Sequence, residues 1–570
     1  MTVLADPASG STPVPAVVDD DATRHLSAAA HVDERFADEI IEEFLAEPRR
    51  AVPPSPGVDP VVVLAEALSA RRRRVVRDIV LLGLFIAFAV LVPLVAAAWV
   101  LWVGLGLLLR TVTRFYLRNR GQIRLTVGAW IFVLSVSLGL ATGLIAVPYF
   151  VINGLDQQIA YEAGGFGEYG GDSGSGTGTL GTVFALVCLV LMLITVVFDK
   201  AFVHSLLRGR FGPSWYRERT LAVSWPPQPS TWYGPRLQRI AASHQQNQAN
   251  MLVHGDYRAF VGSGELTHAW SMALQLRPTG DHAEITSLTP SMVHAAVSKE
   301  VLALRDSVAL APGQRLRGLR ETREAITSAN SLLMYANTQI GAELLPGPTA
   351  PPVDSLSAER IADLTDQPAE WIRCYQVFRV ESWHRELVIS AYLHVGCQDD
   401  MLYLEWNSCQ LNPVGPEFRV EHMRLNRVGG TLWAGVAGFL TLPASLFARL
   451  RLLWRAARDL ARGGKAYGYA LPDAYGARRS IREIAADIDT STYFQSVDGV
   501  RYLKLLERRA LAAIDHVLRE HGLSSEEFAR QSNTVIQSTV VNGGTFTGVN
   551  VIGQGNQATT GEGKTDGREK

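Results

Sequence analysis

A chain of 570 residues is longer than one ordinary hydrophobic core can serve, and typical domain sizes divide it into roughly two to four folding units. The formal net charge of -1 supplies no overall basic field, so nucleic acid is not an expected partner. Its four cysteines, Cys188, Cys374, Cys397 and Cys409, make no CxxC pair and have no histidine at zinc spacing; neither a disulfide framework nor a zinc knuckle is indicated, and no metal or cofactor is expected.

The opening MTVLADPASGSTPVPAVVDDD lacks the basic and apolar regions of a signal peptide, so membrane insertion would use an internal segment. Residues 1–30 mix Pro, Ser, Gly, Ala and Asp without periodicity and are expected to stay flexible. Residues 31–74 read as cytoplasmic helices. The first, acidic, starts at Asp33 and sets Phe36, Ile40, Ile41, Phe44 and Leu45 against Glu39, Glu42 and Glu43. Docking on the protein's own domain is its expected role, with partner binding as the alternative. The run AVPPSPGVDP ends it, and a short helix from Val61 to about Ala70 leads into Arg71, Arg72, Arg73 and Arg74.

Residues 75–200 read as a transmembrane region. Ile79 to Leu109, Val127 to Ile152 and Leu180 to Phe198 contain no charged side chain, and the latter two each match one helical crossing. Basic residues precede the first stretch, fill the linker TVTRFYLRNRGQIR and follow the third as Lys200, Arg208, Arg210, Arg217 and Arg219. The connector 153–179 instead carries Asp156, Glu162, Glu168 and Asp172 with no Lys or Arg. The positive-inside rule therefore turns that loop outward and places both termini in the cytoplasm of a multi-pass cell-membrane protein. Basic flanks on both sides of 79–109 call for a helical hairpin turning near Pro93 to Ala98; a re-entrant dip and a single kinked span are the alternatives.

Residues 201–530 read as an α+β cytoplasmic region, an antiparallel sheet with helices. THAWSMALQL at Thr267 to Leu276 alternates as a half-buried strand, and Thr289 and Pro290 offer an N-cap and first-turn Pro to a helix bearing Val293, Val297, Val301 and Leu304. Three further strands, Trp371 to Val380, Glu386 to Val395 and Met401 to Leu411, have short connections that favour a meander. A long helix from about Gly499 to His521 presents Leu503, Leu506, Ala510, Ile514, Val517 and Leu518, ends at Gly522, and is followed by a capping box of Ser524 and Glu527.

Within this region, 429–462 reads as a membrane-surface segment. The apolar run 429–448 has basic flanks on both sides, which oppose a single crossing, and RLRLLWRAARDLAR after it is a basic amphipathic helix. Arg449, Arg451, Trp454, Arg455, Arg458 and Arg462 are the residues expected at anionic lipid headgroups, with packing in the core as the alternative.

No catalytic set can be named. Gly176, Gly178 and Gly181 match GxGxxG without a preceding strand, and Gly563, Lys564 and Thr565 lack the first P-loop glycine, Ala558 standing in its place. Ser263 in FVGSGEL fits a turn better than a nucleophile elbow, and Asp487 with Asp489 fits an exposed acidic turn better than a cation site. His254, His268, His384, His394 and His422 have no ligand-spaced partner. Residues 531–570 form a Gly- and Asn-rich tail in which Asn542 and Gly543 signal a β-hairpin flanked by Phe546 and Val549. A lone hairpin is marginal, so Asn542, Gly543, Phe546 and Val549 are expected either to self-associate into a homo-oligomer or to pack on their own domain.

The segments VDERFADEIIEEFLAEPRRAVPPSPGVD, YRAFVGSGELTHAWSMAL, CYQVFRVESWHRELVISAYLHV and VVNGGTFTGVNV together resemble uncharacterised multi-pass membrane proteins of actinobacteria with a Gly/Asn-rich C-terminal tail. That resemblance implies no activity, substrate or catalytic residue. The expected function is a membrane-anchored interaction or sensory scaffold whose partners are the lipid bilayer and another copy. A small-solute channel or transporter and a membrane-tethered enzyme are the alternatives; the absence of ionisable residues inside the apolar runs speaks against transport.

Overall fold

The computed structural model describes residues 21–104, 106, 175–212, 233–245, 249–279, 288–306, 316–398, 400–423, 428–462, 471–538 and 550–552. Its first helix, α1 (Asp21–Val32), begins where the sequence suggested flexible chain. An Ala-rich face explains the difference: Leu26, Ala28, Ala29 and Ala30 are buried against neighbouring helices, which a composition count cannot foresee. In α2 (Glu34–Phe44) the Asp33 carboxylate caps the start by accepting from the Arg35 and Phe36 amides, and Phe36, Ile40, Ile41 and Phe44 are buried in the protein's own core. α3 (Pro60–Leu91) starts with the Asp59 cap and Pro60 in its first turn, and its 32 residues rise about 48 Å.

The expectation of a multi-pass transmembrane fold is corrected here. Among the described residues one helix, Val183–Arg208, is long and apolar enough to cross a membrane; a second qualifies only if Leu432–Leu440 and Leu442–Asp459, bent by 84°, count as one broken span. Within the described part of the apolar stretch 79–109 the chain breaks beside Pro93, where the sequence placed a turn, and Trp99 beyond the break packs back against Phe85 and Phe88. The first thirteen residues of the stretch, 79–91, continue α3, whose run is set by the cap at Asp59, and a break at Val92 precedes α4 (Pro93–Gly104), which is too short to cross. The stretch 127–152 and most of the connector 153–179 lie outside the described residues. α5 (Ser175–Gly209) starts inside the Gly-rich connector and packs along α3.

The body is a mixed α+β unit. After α6 (Gly234–Gln245) come β1 (Met251–His254), β2 (Glu265–Gln275), α7 (Pro290–Leu302), β3 (Leu319–Ser328), α8 (Ala358–Asp366), β4 (Arg373–Ser382), β5 (Leu387–Gln398) and β6 (Met401–Leu411). α9 (Val428–Leu440), α10 (Leu442–Arg462), α11 (Tyr493–Glu520), α12 (Glu526–Ser538) and β7 (Asn550–Ile552) complete it. The sheet order is β1-β3-β4-β5-β6-β2-β7. From β3 to β2 the neighbours run antiparallel, as the short connections favoured. The two edges depart from that pattern, because β1 joins β3 and β7 joins β2 in parallel through long connections. β7 comes from the tail: Asn550–Ile552 pairs with Trp270–Met272 of the same chain, whereas the Asn542–Gly543 turn lies outside the described residues.

One sheet face carries the larger core. Trp270, Met272, Phe378, Ile389, Leu393 and Trp406 pack beneath Val293, Val297 and Val301 of α7 and Leu506, Ala510, Ile514 and Val517 of α11. Burial of each such side chain contributes about 1.5–3 kcal/mol. Thr289 caps α7 as expected, while α11 starts six residues before Gly499 because Thr492 and Gln495 form a reciprocal capping box. At its far end Ser525, not Ser524, precedes α12, and its hydroxyl is engaged by Arg519.

Candidate functional site

Where the apolar helices meet the body, α3 presents Arg71, Arg73, Arg74, Arg77 and Asp78, all but Arg77 at most 9% exposed. Arg73 Nε lies 3.3 Å from Asp199 of α5, and Arg77 Nη1 donates to the same carboxylate over 2.9 Å. Arg77 Nε also donates to Asp78 Oδ1 over 2.8 Å, and Arg449 of α10 donates to the same oxygen. Arg71 reaches Asp459 of α10 at 2.8 Å, Arg210 pairs with Glu66, and His31 Nε2 sits 2.9 Å from Glu66. Backbone carbonyls complete the set, since Arg74 donates to Ala30 and Arg73 to His31. Burial pulls the Arg73 guanidinium down to about 10 against the attraction of Asp199, and burial likewise lowers His31 against the pull of Glu66. This belt joins α1, α3, α5 and α10 into one charged collar.

Beyond the collar the surface turns apolar. The ends of α3, α4, α5, α9 and the start of α10 share a small core of Leu81, Phe88, Ala96, Ala185, Met192, Val196 and Leu442, with Trp99 packed among Phe85, Phe88 and Phe439. Their outer faces carry Ile79, Ile86, Val90, Leu94, Leu101, Phe184, Ile194, Phe198 and Trp433, with Val90 at 75% and Leu94 at 78% exposure. Large apolar side chains exposed together in this number are unusual for a surface that faces water.

The residues expected at a membrane surface divide along α10. Arg449 and Arg455 are spent on Asp78 and Asp38, the latter at 3.1 Å. Arg458 lies over the Trp454 ring at 5.4 Å and 3.7 Å from Asp459. Arg451 is exposed, as are Trp454 at 63% and Phe447 at 78%. Arg462 ends the helix. Arg451 and Trp454 thus remain outward, and Arg449 and Arg455 hold α10 to α3 and α2. Asn542, Gly543, Phe546 and Val549 lie outside the described residues.

The other motifs resolve into structural roles. Ser263 is fully buried, its hydroxyl 2.6 Å from Tyr392 Oη, in a turn clamped by Glu483. Glu483 Oε1 accepts from the Gly262 and Gly264 amides at 2.8 and 2.9 Å, and Oε2 from the Ser480 amide. Gly262 and Gly264 hold φ of +95° and +85°, and a Cβ on Gly264 would lie 2.2 Å from the Gln410 carbonyl oxygen. His254, His394 and His422 each bond a nearby carbonyl, and His268 sits 3.4 Å from Glu507, which also accepts from Trp270 Nε1. Asp487 accepts from its neighbour's amide. Gly176 and Gly178 lie in the first turn of α5, with Gly181 just beyond; 563–565 lie outside the described residues.

Sequence reasoning missed the collar. Its Arg cluster was read as a topological flank, although a signal was present: Asp78 directly precedes the charge-free run at Ile79, and Asp199 directly follows the one ending at Phe198. Carboxylates so placed at apolar boundaries point to partners.

No curated protein and no solved structure matches the chain. Residues 269–550, from within β2 to the first residue of β7, match the family described as an AbeC-like domain.

Proposed function

We propose that this chain is a membrane-attached interaction scaffold: its apolar helical end seats in lipid, the charged collar lies at the lipid–water boundary, and the α+β body faces the aqueous side. The exposed apolar surface over α3, α4, α5 and α9 carries this reading, because water would penalise it at about 25 cal/mol per Å² while lipid would not. The collar supports it, since Arg side chains partnered by carboxylates suit a boundary better than bare charges. Arg451 and Trp454 on α10 would meet headgroups, and the resemblance to actinobacterial membrane proteins fits the same picture. Self-association through residues 542–549 is part of the reading.

Fractionation of the expressed intact protein tests attachment. Alkaline carbonate washing should leave it in the membrane pellet; release into the supernatant would sink the proposal. An Arg451→Glu, Trp454→Ala variant should bind anionic vesicles more weakly at low salt than the parent chain does. For self-association, removal of residues 539–570 should lower the mass measured in mild detergent, and an unchanged mass would remove that element.

A further inference from the structure

A cavity of about 100 Å³ lies at the opposite end of α3 from the apolar surface, against the β3–β4 side of the sheet. Its roof is the proline strap Pro53, Pro54, Ser55 and Pro56; its floor carries Arg320, Thr322 and Glu324 from β3 and Arg379 and Glu381 from β4, with Arg385 at the end of the β4–β5 turn. Arg320 and Arg379 stand directly opposite each other in the strand register. Like charges so placed, with Cβ atoms about 4.5–5.5 Å apart, favour an anion between them, although Arg320 is exposed and water screens the pair in part.

The two carboxylates of the cavity, Glu324 and Glu381, offset part of this charge and leave three guanidinium groups against two carboxylates. Glu381 is held by Arg385 at 2.6 Å, while Glu324 accepts from Thr322 and forms an ion pair with Arg379 at 3.6 Å from Nη2, too long for a hydrogen bond; Arg379 Nε donates to Ser390 Oγ over 3.3 Å. Arg320 is exposed and has no carboxylate partner among the described residues. Arg379 Nη2 and the hydroxyl of Ser55, a residue 5% exposed, are buried without a hydrogen-bond partner. An orphan guanidinium nitrogen and an orphan hydroxyl in the walls of one cavity call for an acceptor.

Backbone strain is concentrated at the same place. Trp383, His384 and Arg385 hold φ of 53°, 55° and 65°, three successive left-handed residues without a glycine, at roughly 1–2 kcal/mol each. The turn fits against the strap only because residue 57 is glycine, with φ +76° and an added Cβ 2.9 Å from the Arg385 carbonyl oxygen. Left-handed geometry thus brings Arg385 to the cavity wall facing the Arg320–Arg379 pair.

We propose that this cavity binds a small phosphate-bearing anion from the aqueous phase, held by the guanidinium groups of Arg320, Arg379 and Arg385 and by the Ser55 hydroxyl. Guanidinium forks match the paired oxygens of phosphate, and the size admits a phosphate group, not a large ligand. A lipid headgroup is the less suitable source, because Pro60 on the cavity wall and Ile79 at the apolar boundary are separated along α3 by about 28 Å. The site does not depend on membrane attachment, and a ligand there would touch the strap that leads into α3.

The test uses the intact chain in detergent, with inorganic phosphate titrated against sodium chloride at matched ionic strength. Phosphate should raise the melting temperature to a plateau, and equilibrium dialysis with radiolabelled phosphate should show saturable binding. Arg320→Gln should weaken that binding roughly 10- to 100-fold, and Arg320→Lys, which keeps the charge and loses the fork, should weaken it less. Arg258→Gln, at an exposed pair with Glu265, should bind like the parent. No saturable binding by the parent chain, or equal binding by the Arg320→Gln protein, overturns the site. Competition for radiolabelled phosphate by phosphatidate vesicles would overturn the aqueous source. Carbonate extraction reports separately on attachment.

Discussion

His294 on α7 should set the acid stability of the larger core. The residue is 1% exposed, and neither ring nitrogen has a hydrogen-bond partner, although its backbone carbonyl accepts from Gln376 Nε2 at 2.8 Å. Burial, with smaller repulsion from Arg323 and His394, pushes its pKa from 6.5 down to about 3. The unfolded chain protonates this histidine near 6.5 and the folded chain does not, so below 6.5 the unfolded state binds more protons and stability falls with pH until about 3. At 1.36 kcal/mol per unit, the loss between pH 6.5 and pH 5 is about 2 kcal/mol. His294→Leu removes the titrating group and keeps an apolar side chain of similar size. Urea unfolding followed by tryptophan emission, which includes the stacked Trp270–Trp406 pair of this core, should show the variant losing about 2 kcal/mol less than the parent over that interval. Parallel losses in the two proteins would refute a neutral buried His294.

Three further outcomes follow from the collar and the clamp. Asp78→Ala leaves Arg77 and Arg449 without their shared carboxylate at a 1% exposed position, and should cost about 3–5 kcal/mol in a urea or thermal melt. Glu483→Ala strips the acceptor from the Gly262, Gly264 and Ser480 amides and should cost on the order of 3 kcal/mol; Glu483→Gln, which keeps an oxygen for the two glycine amides, should cost less in the same melt. Gly264→Ala should destabilise by more than about 2 kcal/mol, read as a lower melting temperature, because its Cβ meets the Gln410 carbonyl.

Local patterns were legible and distant pairings were not. Met401–Leu411 could be bounded to the residue because alternation and short turns act within a few positions, and the Thr289 cap with Pro290 announced α7. The parallel edges escaped notice because β1 meets β3 across more than sixty residues and β7 meets β2 across far more, with no turn to fix either. The multi-pass reading failed for a related reason. Charge-free runs measure apolarity, but helix limits come from caps and breaks, and Asp59 set the start of α3 well before its apolar half. The Arg cluster shows the same gap: four arginines in a row announce charge, while Asp199 and Asp459, their partners, are named only by the fold. Of the candidate lipid-facing residues, sequence found the whole amphipathic face of α10 but could not divide Arg451 and Trp454, which remain outward, from Arg449 and Arg455, which bind carboxylates.

The N-terminal helices rest on sequence that is made very late. Arg24 pairs with Glu421 across 397 positions, Arg50 donates to the Asp473 carbonyl across 423, and Glu43 receives the Arg478 amide across 435. At about 5–20 residues per second, α1 and α2 wait on the order of 20–80 s on the ribosome before these partners emerge. During that interval Phe36, Ile40 and Phe44 lack part of the surface that finally covers them, which makes the nascent N-terminal segment a client for chaperones until the second half of the chain arrives.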